Sequence, residues 1–81
     1  MPYSVYILRS VAHNRHYYGH AERTDLRLAA HNAGKVRSTK AYRPWIIIYE
    51  ERFDSKSEAS KREQFFKTID GYNFLKQNGI T

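Results

Sequence analysis

The chain contains no cysteine, so it can form neither a disulfide nor a thiolate metal cluster. It also lacks a long hydrophobic run, because the longest one, WIIIY at 45–49, is far too short to cross a bilayer. The N-terminus has no basic segment followed by an apolar core, which is the pattern of a signal peptide. These absences predict a cytoplasmic protein that does not insert into a membrane.

The length of 81 residues leaves room for one hydrophobic core and no second one. Hydrophobic residues make up 41% of the chain, which is enough for a folded globule and too much for a disordered tail. We therefore expect a single domain over residues 1–81.

Acidic residues are scarce in the first half of the chain. Residues 1–43 contain eight Lys or Arg but two Asp or Glu, whereas residues 44–81 contain six of each kind. The whole net charge of +6 therefore lies in the first half. A one-sided basic surface attracts polyanions, of which nucleic acid is the commonest, although a generic solubilising charge gives the same composition.

Three segments have the pattern of β-strands. The segment 3–10 carries apolar residues on both faces, which is typical of a central strand, and the aromatic segment 16–20 follows after a turn at Asn14. Residues 3–20 therefore predict a β-hairpin, in which alternation puts Tyr17 and Gly19 on one face. The continuous apolar segment 45–52 predicts a third strand that is covered on both faces.

Helical patterns fill the remaining segments. Residues 24–34 predict a helix that Thr24 or Asp25 caps at its start and Gly34 ends, and a basic loop follows at 35–44. The element order β-β-α-β-α-α predicts an α/β (α+β) fold, with a small three-stranded, mainly antiparallel sheet flanked by helices.

The second helix is predicted to begin at Ser55, which forms a capping box with Glu58, and to continue to about Ile69. Gly71 then breaks the helix, and the segment 72–79 adds a short final one. The aromatic residues of this half of the chain are predicted to be core rather than base-stacking surfaces: Trp45, Phe53, Phe65, Phe66, Tyr72 and Phe74.

The first helix carries residues suited to phosphate chemistry. Arg27 and His31 are four residues apart, so they share one face. Arginine offers a permanent charge that matches phosphate oxygens, and histidine can carry a proton near neutral pH. Gly19 would allow another chain or a ligand to approach closely, beside Tyr17. Any basic amphipathic helix can show this spacing, so the signal is moderate by itself.

Glu63 lies on the stripe of the second helix that also contains Ala59, Phe66 and Ile69, which are predicted to point inward. A carboxylate on a core-facing stripe is costly unless it is paired or bound to a cation. If it faces inward, it can anchor Mg²⁺. A slightly different helix register would instead place it at the edge, where it bridges to Arg62 or Lys67.

Histidines also occur at positions 13, 16 and 20, which raises the question of zinc. Their spacing matches no structural zinc motif, and a hairpin turn would scatter them. The sequence therefore gives little support to a zinc site.

Several sequence blocks, in the same order, resemble the GIY-YIG nuclease superfamily. VYI at 5–7 and YYG at 17–19 resemble the two motifs that name the family, and ten residues intervene between Tyr6 and Tyr17. TDLRLAAHNAGK at 24–35 is similar to the arginine helix of the family, YRP precedes an apolar strand, and SEASKREQFFK at 57–67 is similar to the helix that holds the metal-binding glutamate. The length resembles the stand-alone, single-domain bacterial branch.

The resemblance implies in-line hydrolysis of a DNA phosphodiester by an activated water. Tyr6 and Tyr17 would be the motif tyrosines, one of which helps to deprotonate the water. Arg27 would stabilise the charge on the phosphate, and His31 would assist proton transfer or orient a tyrosine. Glu63 would hold a single divalent ion, Mg²⁺ or Mn²⁺.

Other residues are expected to support this site. Gly19, Asn32 and Lys67 would be lesser members of it. The basic loop would contact the nucleic acid through four side chains, Lys35, Arg37, Lys40 and Arg43. Ser4 stands where the first motif has glycine, and Tyr18 stands where the second has isoleucine or valine, but neither departure removes a candidate catalytic residue.

Other functions remain open at the level of the sequence. The fold could serve as a non-catalytic nucleic-acid-binding module in which tyrosines stack on bases, or as a specificity subunit of a larger complex. Covalent chemistry by a tyrosine nucleophile is a weaker alternative, because a chain this small has few arginines and histidines to assemble such a site. The DNA structure that is cut, and a protein partner that supplies specificity, also stay open.

Overall fold

The structure is a computed structural model that describes residues 2–81. Three antiparallel strands form one sheet in the order β2-β1-β3. The elements are β1 (Tyr3–Ser10), β2 (His16–Ala21), α1 (Thr24–Asn32), a 3₁₀ turn (Lys40–Tyr42), β3 (Trp45–Phe53), α2 (Lys56–Phe66) and α3 (Ile69–Gln77). The predicted fold class, element order and N-terminal hairpin are therefore confirmed. Within residues 2–81, no helix has the length and apolar character needed to cross a membrane.

The central strand β1 is buried on both faces, as its apolar pattern predicts. Val5 and Ile7 pack with Phe66 of α2 and Leu75 of α3 on one side of the sheet. On the other side, Tyr6 and Leu8 pack with Trp45, Ala21 and the half-buried Leu28 of α1. The strand therefore separates two small cores, with α1 on one face and α2 and α3 on the other.

The third strand was expected to be covered on both faces, and this prediction is wrong. β3 pairs only with β1 and forms an edge of the sheet, and Ile46 is substantially exposed. Its apolar run nevertheless supplies partly buried residues to both cores, Ile47 on one side and Ile48 on the other. The apolar run of β3 is therefore explained by partial burial on both faces of an edge strand, and not by a central position in the sheet.

The boundary between the second and third helices lies earlier than predicted. α2 ends at Phe66, and Thr68 caps α3 by accepting a hydrogen bond from the backbone N–H of Gly71 at 3.1 Å. Gly71 thus lies inside α3 and does not break a helix. Ile69 opens α3 with 80% of its surface exposed, so the prediction that it points inward is wrong.

Details of the caps also differ from expectation. The Ser55 cap is confirmed, because its hydroxyl oxygen accepts from the backbone N–H of Glu58. At α1 the capping position is Arg23, without a side-chain cap, while Asp25 forms an ion pair with Arg23 instead. Of the aromatic residues expected in the core, Tyr72 is exposed, because it lies on the outer face of α3.

Candidate active site

Tyr6 and Gly19 are direct partners across β1 and β2. A Cβ atom at position 19 would lie 2.6 Å from the Tyr6 hydroxyl oxygen and 2.7 Å from its Cζ. The ring of Tyr6 therefore crosses over the bare backbone of Gly19. The glycine expected to allow a close approach does so, and the group that approaches is this tyrosine.

Three aromatic rings from three different elements meet beside this crossing. The Tyr6 hydroxyl lies 3.2 Å from Nε2 of His31, and the ring of Tyr17 lies 4.7 Å from the imidazole between centroids. His31 is 0% exposed and Tyr6 is 1% exposed, whereas Tyr17 is half-buried. The structure thus brings together three of the predicted site residues.

The second nitrogen of the imidazole contacts a residue that the sequence did not single out. Nδ1 of His31 lies 2.8 Å from Oγ1 of Thr39, whose hydroxyl donates to the carbonyl oxygen of Val36 at 3.3 Å. Thr39 is 2% exposed. No motif or spacing marked it, because its importance comes from the folding of the basic loop over α1.

Arg27 lies on α1, one turn before His31, and its charge influences the other members of the cluster. Burial raises the pKa of the Tyr6 hydroxyl above its usual value, although the guanidinium of Arg27 acts in the opposite direction. Burial, and secondly the charge of Arg27, lower the pKa of His31. At neutral pH the cluster therefore contains a protonated tyrosine beside a neutral imidazole.

Acidification is expected to destabilise the protein through His31. The pKa of the imidazole is lower in the folded chain than its ordinary value of 6.5, so the unfolded chain binds the proton first. The stabilisation is complete above pH 6.5 and is lost as pH falls through the folded-state pKa, with a slope of at most ~1.4 kcal/mol per pH unit for one proton. Urea unfolding at several pH values between 7.5 and 5 measures this slope.

The matched variant for this measurement is His31→Gln, which should show a shallower dependence of the free energy of unfolding on pH. Some dependence should remain, because burial and the charge of Arg9 also lower the pKa of His16. An identical slope in the wild type and in the His31→Gln variant would contradict the assignment to His31.

Glu63 faces inward, as one interpretation of the sequence predicted, and it is also paired with Lys67, as the other predicted. It is 8% exposed; its Oε1 lies 2.7 Å from Nδ1 of His20, and its Oε2 accepts from Nζ of Lys67 at 2.8 Å. Burial acts to raise the pKa of the carboxyl group, but the hydrogen bonds from Lys67 and His20 outweigh it, and the pKa lies below its usual value. The carboxylate is therefore ionised at neutral pH.

The contact between Glu63 and His20 was not predicted, because His20 was considered as a zinc ligand and not as a partner of that carboxylate. Strand alternation offered a signal, since it places His20 on the same face of β2 as Tyr18, and Tyr18 packs against Phe66 of α2. Glu63 lies on α2, one turn before Phe66. Its charge also acts on Tyr6, where it raises the pKa of the hydroxyl.

The donor set at Glu63 fits a magnesium-type ion better than zinc. An ionised carboxylate is a hard oxygen ligand, and Mg²⁺ commonly takes one or two carboxylates and completes its shell with water and phosphate. Within the described residues 2–81, no three His, Cys, Asp or Glu side chains group together as a metal-binding cluster.

The basic loop presents its charges to solvent, as expected for an interface. Four side chains are exposed: Lys35, Arg37, Lys40 and Arg43. The Nε of Arg43 also donates to the backbone carbonyl of Lys40 at 2.9 Å. Asn32, expected to be a minor site member, instead binds the backbone of Trp45, donating to its carbonyl and accepting from its N–H.

This fold and this cluster define a GIY-YIG domain. A model of the GIY-YIG catalytic domain matches residues 2–73, and the chain belongs to this nuclease family. Among its relatives, it is 42% identical to a UPF0213 protein of Staphylococcus haemolyticus over 73 residues, which are 89% of this chain and 88% of the relative.

Two further comparisons agree. A UPF0213 protein of Staphylococcus saprophyticus is 43% identical over 61 residues, which are 74% of each chain. The solution NMR structure of a UPF0213 protein from Bacillus halodurans matches with a TM-score of 0.57 and 26% identity, covering 99% of this chain and 87% of that one. The resemblance to the GIY-YIG family is thus confirmed, and this family implies a nucleic-acid substrate.

Proposed function

We propose that the protein is a divalent-metal-dependent endonuclease that hydrolyses phosphodiester bonds in DNA. The observation that carries the proposal is the hydrogen bond between the Tyr6 hydroxyl and Nε2 of His31, which sits beside the charge of Arg27. A phenol in contact with a neutral imidazole has a proton acceptor at hand, and this is the requirement for a tyrosine to serve as a base.

The proton path follows from these contacts. The Tyr6 hydroxyl gives its proton to Nε2 of His31, and the resulting phenolate oxygen takes a proton from the water as the oxygen of that water attacks phosphorus. The P–O bond to the leaving oxygen breaks, and the proton held by His31 passes through solvent to that oxygen. The guanidinium of Arg27 lowers the cost of the phenolate and stabilises the negative charge that develops on the phosphate. Tyr17, which is half-buried against His31, supports the imidazole and contacts the substrate side of the site.

Glu63 is the residue that would hold the divalent ion, Mg²⁺ or Mn²⁺. When bound, the ion supplies Lewis-acid stabilisation of the phosphate. Lys67 and His20 keep the carboxylate ionised and orient its two oxygens. The four exposed cations of the basic loop would then contact the DNA backbone. A cytoplasmic location is consistent with this function, and so is a protein partner that supplies specificity.

A non-catalytic binding module or a specificity subunit is the second candidate. In that role the tyrosines would stack on bases, and stacking requires accessible ring faces. The ring of Tyr6 is 1% exposed and has no free face for a base, while the half-buried rings of Tyr17 and Tyr18 pack against His31 and Phe66. Stacking also gives no use to the combination of Arg27, His31 and a buried ionised glutamate, and these features favour the nuclease.

The proposal is tested by incubating the purified protein with supercoiled plasmid and with branched, damaged and single-stranded DNA, in Mg²⁺ or Mn²⁺ and in EDTA. We expect ion-dependent cleavage of at least one substrate and its loss in Glu63→Ala. The matched control is Glu22→Ala, which removes an exposed carboxylate and should cleave like the wild type.

Cleavage that persists in Glu63→Ala would contradict the role of Glu63 and point to a contaminating nuclease. Binding of DNA without cleavage of any substrate would contradict the enzyme and favour the binding module.

A further inference from the structure

We infer that Thr39 is a positioning residue that fixes the tautomer of His31, so that Nε2 is left free to accept the Tyr6 proton. The inference rests on the proposed function for its catalytic consequence, but the tautomer itself can be measured without any activity. It concerns a side chain that lies outside the sequence motifs and on the far side of the imidazole from Tyr6.

The donor and the acceptor in the hydrogen bond between Thr39 and His31 can be assigned by starting from Val36. Its backbone carbonyl oxygen can only accept, and it lies 3.3 Å from Oγ1 of Thr39, so we assign the hydroxyl proton of Thr39 to this contact, beside the two N–H groups that the same carbonyl accepts from Thr39 and Lys40. The Thr39 oxygen then offers lone pairs to Nδ1 of His31, 2.8 Å away. With this assignment, Nδ1 carries the hydrogen and donates it.

The other nitrogen follows from this assignment. A neutral imidazole has one N–H, so a hydrogen on Nδ1 leaves Nε2 as a bare acceptor. The Tyr6 hydroxyl then donates to Nε2 across 3.2 Å. The proton that the reaction has to move already points at its acceptor in the resting protein.

The opposite tautomer would block this transfer. With the hydrogen on Nε2, that N–H would point at the Tyr6 oxygen, and the imidazole could not take the phenolic proton. The Thr39 hydroxyl would also have to turn to Nδ1 and leave the carbonyl of Val36. In the resting protein the doubly protonated ring is disfavoured as well, because burial and the charge of Arg27 lower the pKa of His31, so this form is present only while the ring holds the Tyr6 proton.

The position of Thr39 does not depend on its own hydroxyl. Its backbone carbonyl accepts from the indole Nε1–H of the buried Trp45 at 3.0 Å, and its N–H donates to Val36. A substitution by valine keeps both backbone contacts and nearly the same side-chain shape, while it removes the hydroxyl. The variant therefore separates the hydrogen bond from the packing.

The experiment combines the ¹⁵N chemical shifts of the two His31 ring nitrogens with cleavage kinetics. In the wild type we expect the shifts of the Nδ1–H tautomer. In Thr39→Val we expect a change toward the Nε2–H tautomer and a kcat lowered by about 10- to 100-fold at similar KM, which is the usual effect of losing the partner that orients a functional histidine. Thr39→Ser should restore both the tautomer and kcat.

Thr68→Val is the matched control, because it also removes a threonine hydroxyl with a structural hydrogen bond but lies at the start of α3. It should lower stability and leave the His31 shifts unchanged. An Nε2–H tautomer in the wild type, or an unchanged tautomer and kcat in Thr39→Val, would overturn the inference. If the wild type has the expected tautomer but cuts no DNA, then the proposed function fails and the orientation of His31 by Thr39 stands.

Discussion

Replacing Arg27 with alanine is expected to slow DNA cleavage by about 10²- to 10³-fold, the usual effect of removing one fixed donor that stabilises transition-state charge. The guanidinium acts to lower the pKa of the Tyr6 hydroxyl, and under the proposed function it also stabilises the charge on the phosphate. Single-turnover cleavage with saturating protein measures the chemical step apart from binding. We expect the loss in that rate rather than in affinity.

The matched control is Arg37→Ala, which removes the same charge from an exposed position in the basic loop. Loss of a phosphate contact weakens binding and its salt dependence, so cleavage at saturating protein should stay near the wild-type rate. Equal rates for Arg27→Ala and Arg37→Ala would show that Arg27 serves only to attract DNA.

Gly19→Ala is the second substitution with a large expected effect. The new Cβ would lie 2.6 Å from the Tyr6 hydroxyl oxygen, a separation that real structures do not tolerate. Since the backbone pairing of β1 and β2 holds both residues in register, the phenol ring has to tilt away and leave His31. A displacement of about 1 Å at a reacting group can cost 10²-fold in rate, and we expect at least that loss in cleavage.

A double-mutant cycle shows whether the loss passes through Tyr6. Gly19→Ala, Tyr6→Phe and the double variant should all be slowed, and the double variant should be no slower than the worse single one. Circular dichroism should show that the sheet is retained. Multiplicative losses would indicate that Gly19 acts independently of the tyrosine.

The sequence correctly predicted the secondary-structure features that depend only on neighbouring residues. The two-sided apolar pattern of residues 3–10 placed β1 in the centre, and alternation put Tyr17 and Tyr18 on opposite faces. The capping signal at Ser55 correctly began α2. These features depend on strand periodicity and on hydrogen bonds within one turn, and both can be read from neighbouring residues.

Features that depend on tertiary contact were predicted less well. One signal within a single turn was also missed, because Thr68 was not recognised as a cap; α2 was therefore extended through it and Ile69 was assigned to the core. A Cβ at Gly71 would lie 2.0 Å from the backbone oxygen of Phe65, so this glycine permits two helices to touch, although it reads as a helix breaker in isolation. No single segment contains that information.

The candidate site shows the same division. The sequence selected the candidate residues because their types suit phosphate chemistry and because several blocks resemble one family. These candidates are Tyr6, Tyr17, Arg27, His31 and Glu63. His20 and Thr39 were not found, since each acts through a partner in a different segment of the fold, Glu63 of α2 for His20 and His31 of α1 for Thr39. Residues whose role is to hold another side chain carry no chemical signature of their own.

The amide of Asn32 binds both backbone groups of Trp45, at 3.0 Å and 2.6 Å, in the manner of a neighbouring strand. These two hydrogen bonds join the residues on either side of the basic loop and fix both of its ends in the protein alone. A loop that is already ordered loses little conformational entropy when it meets a polyanion. Under the proposed function, its four cations would bind the DNA without first having to order the loop.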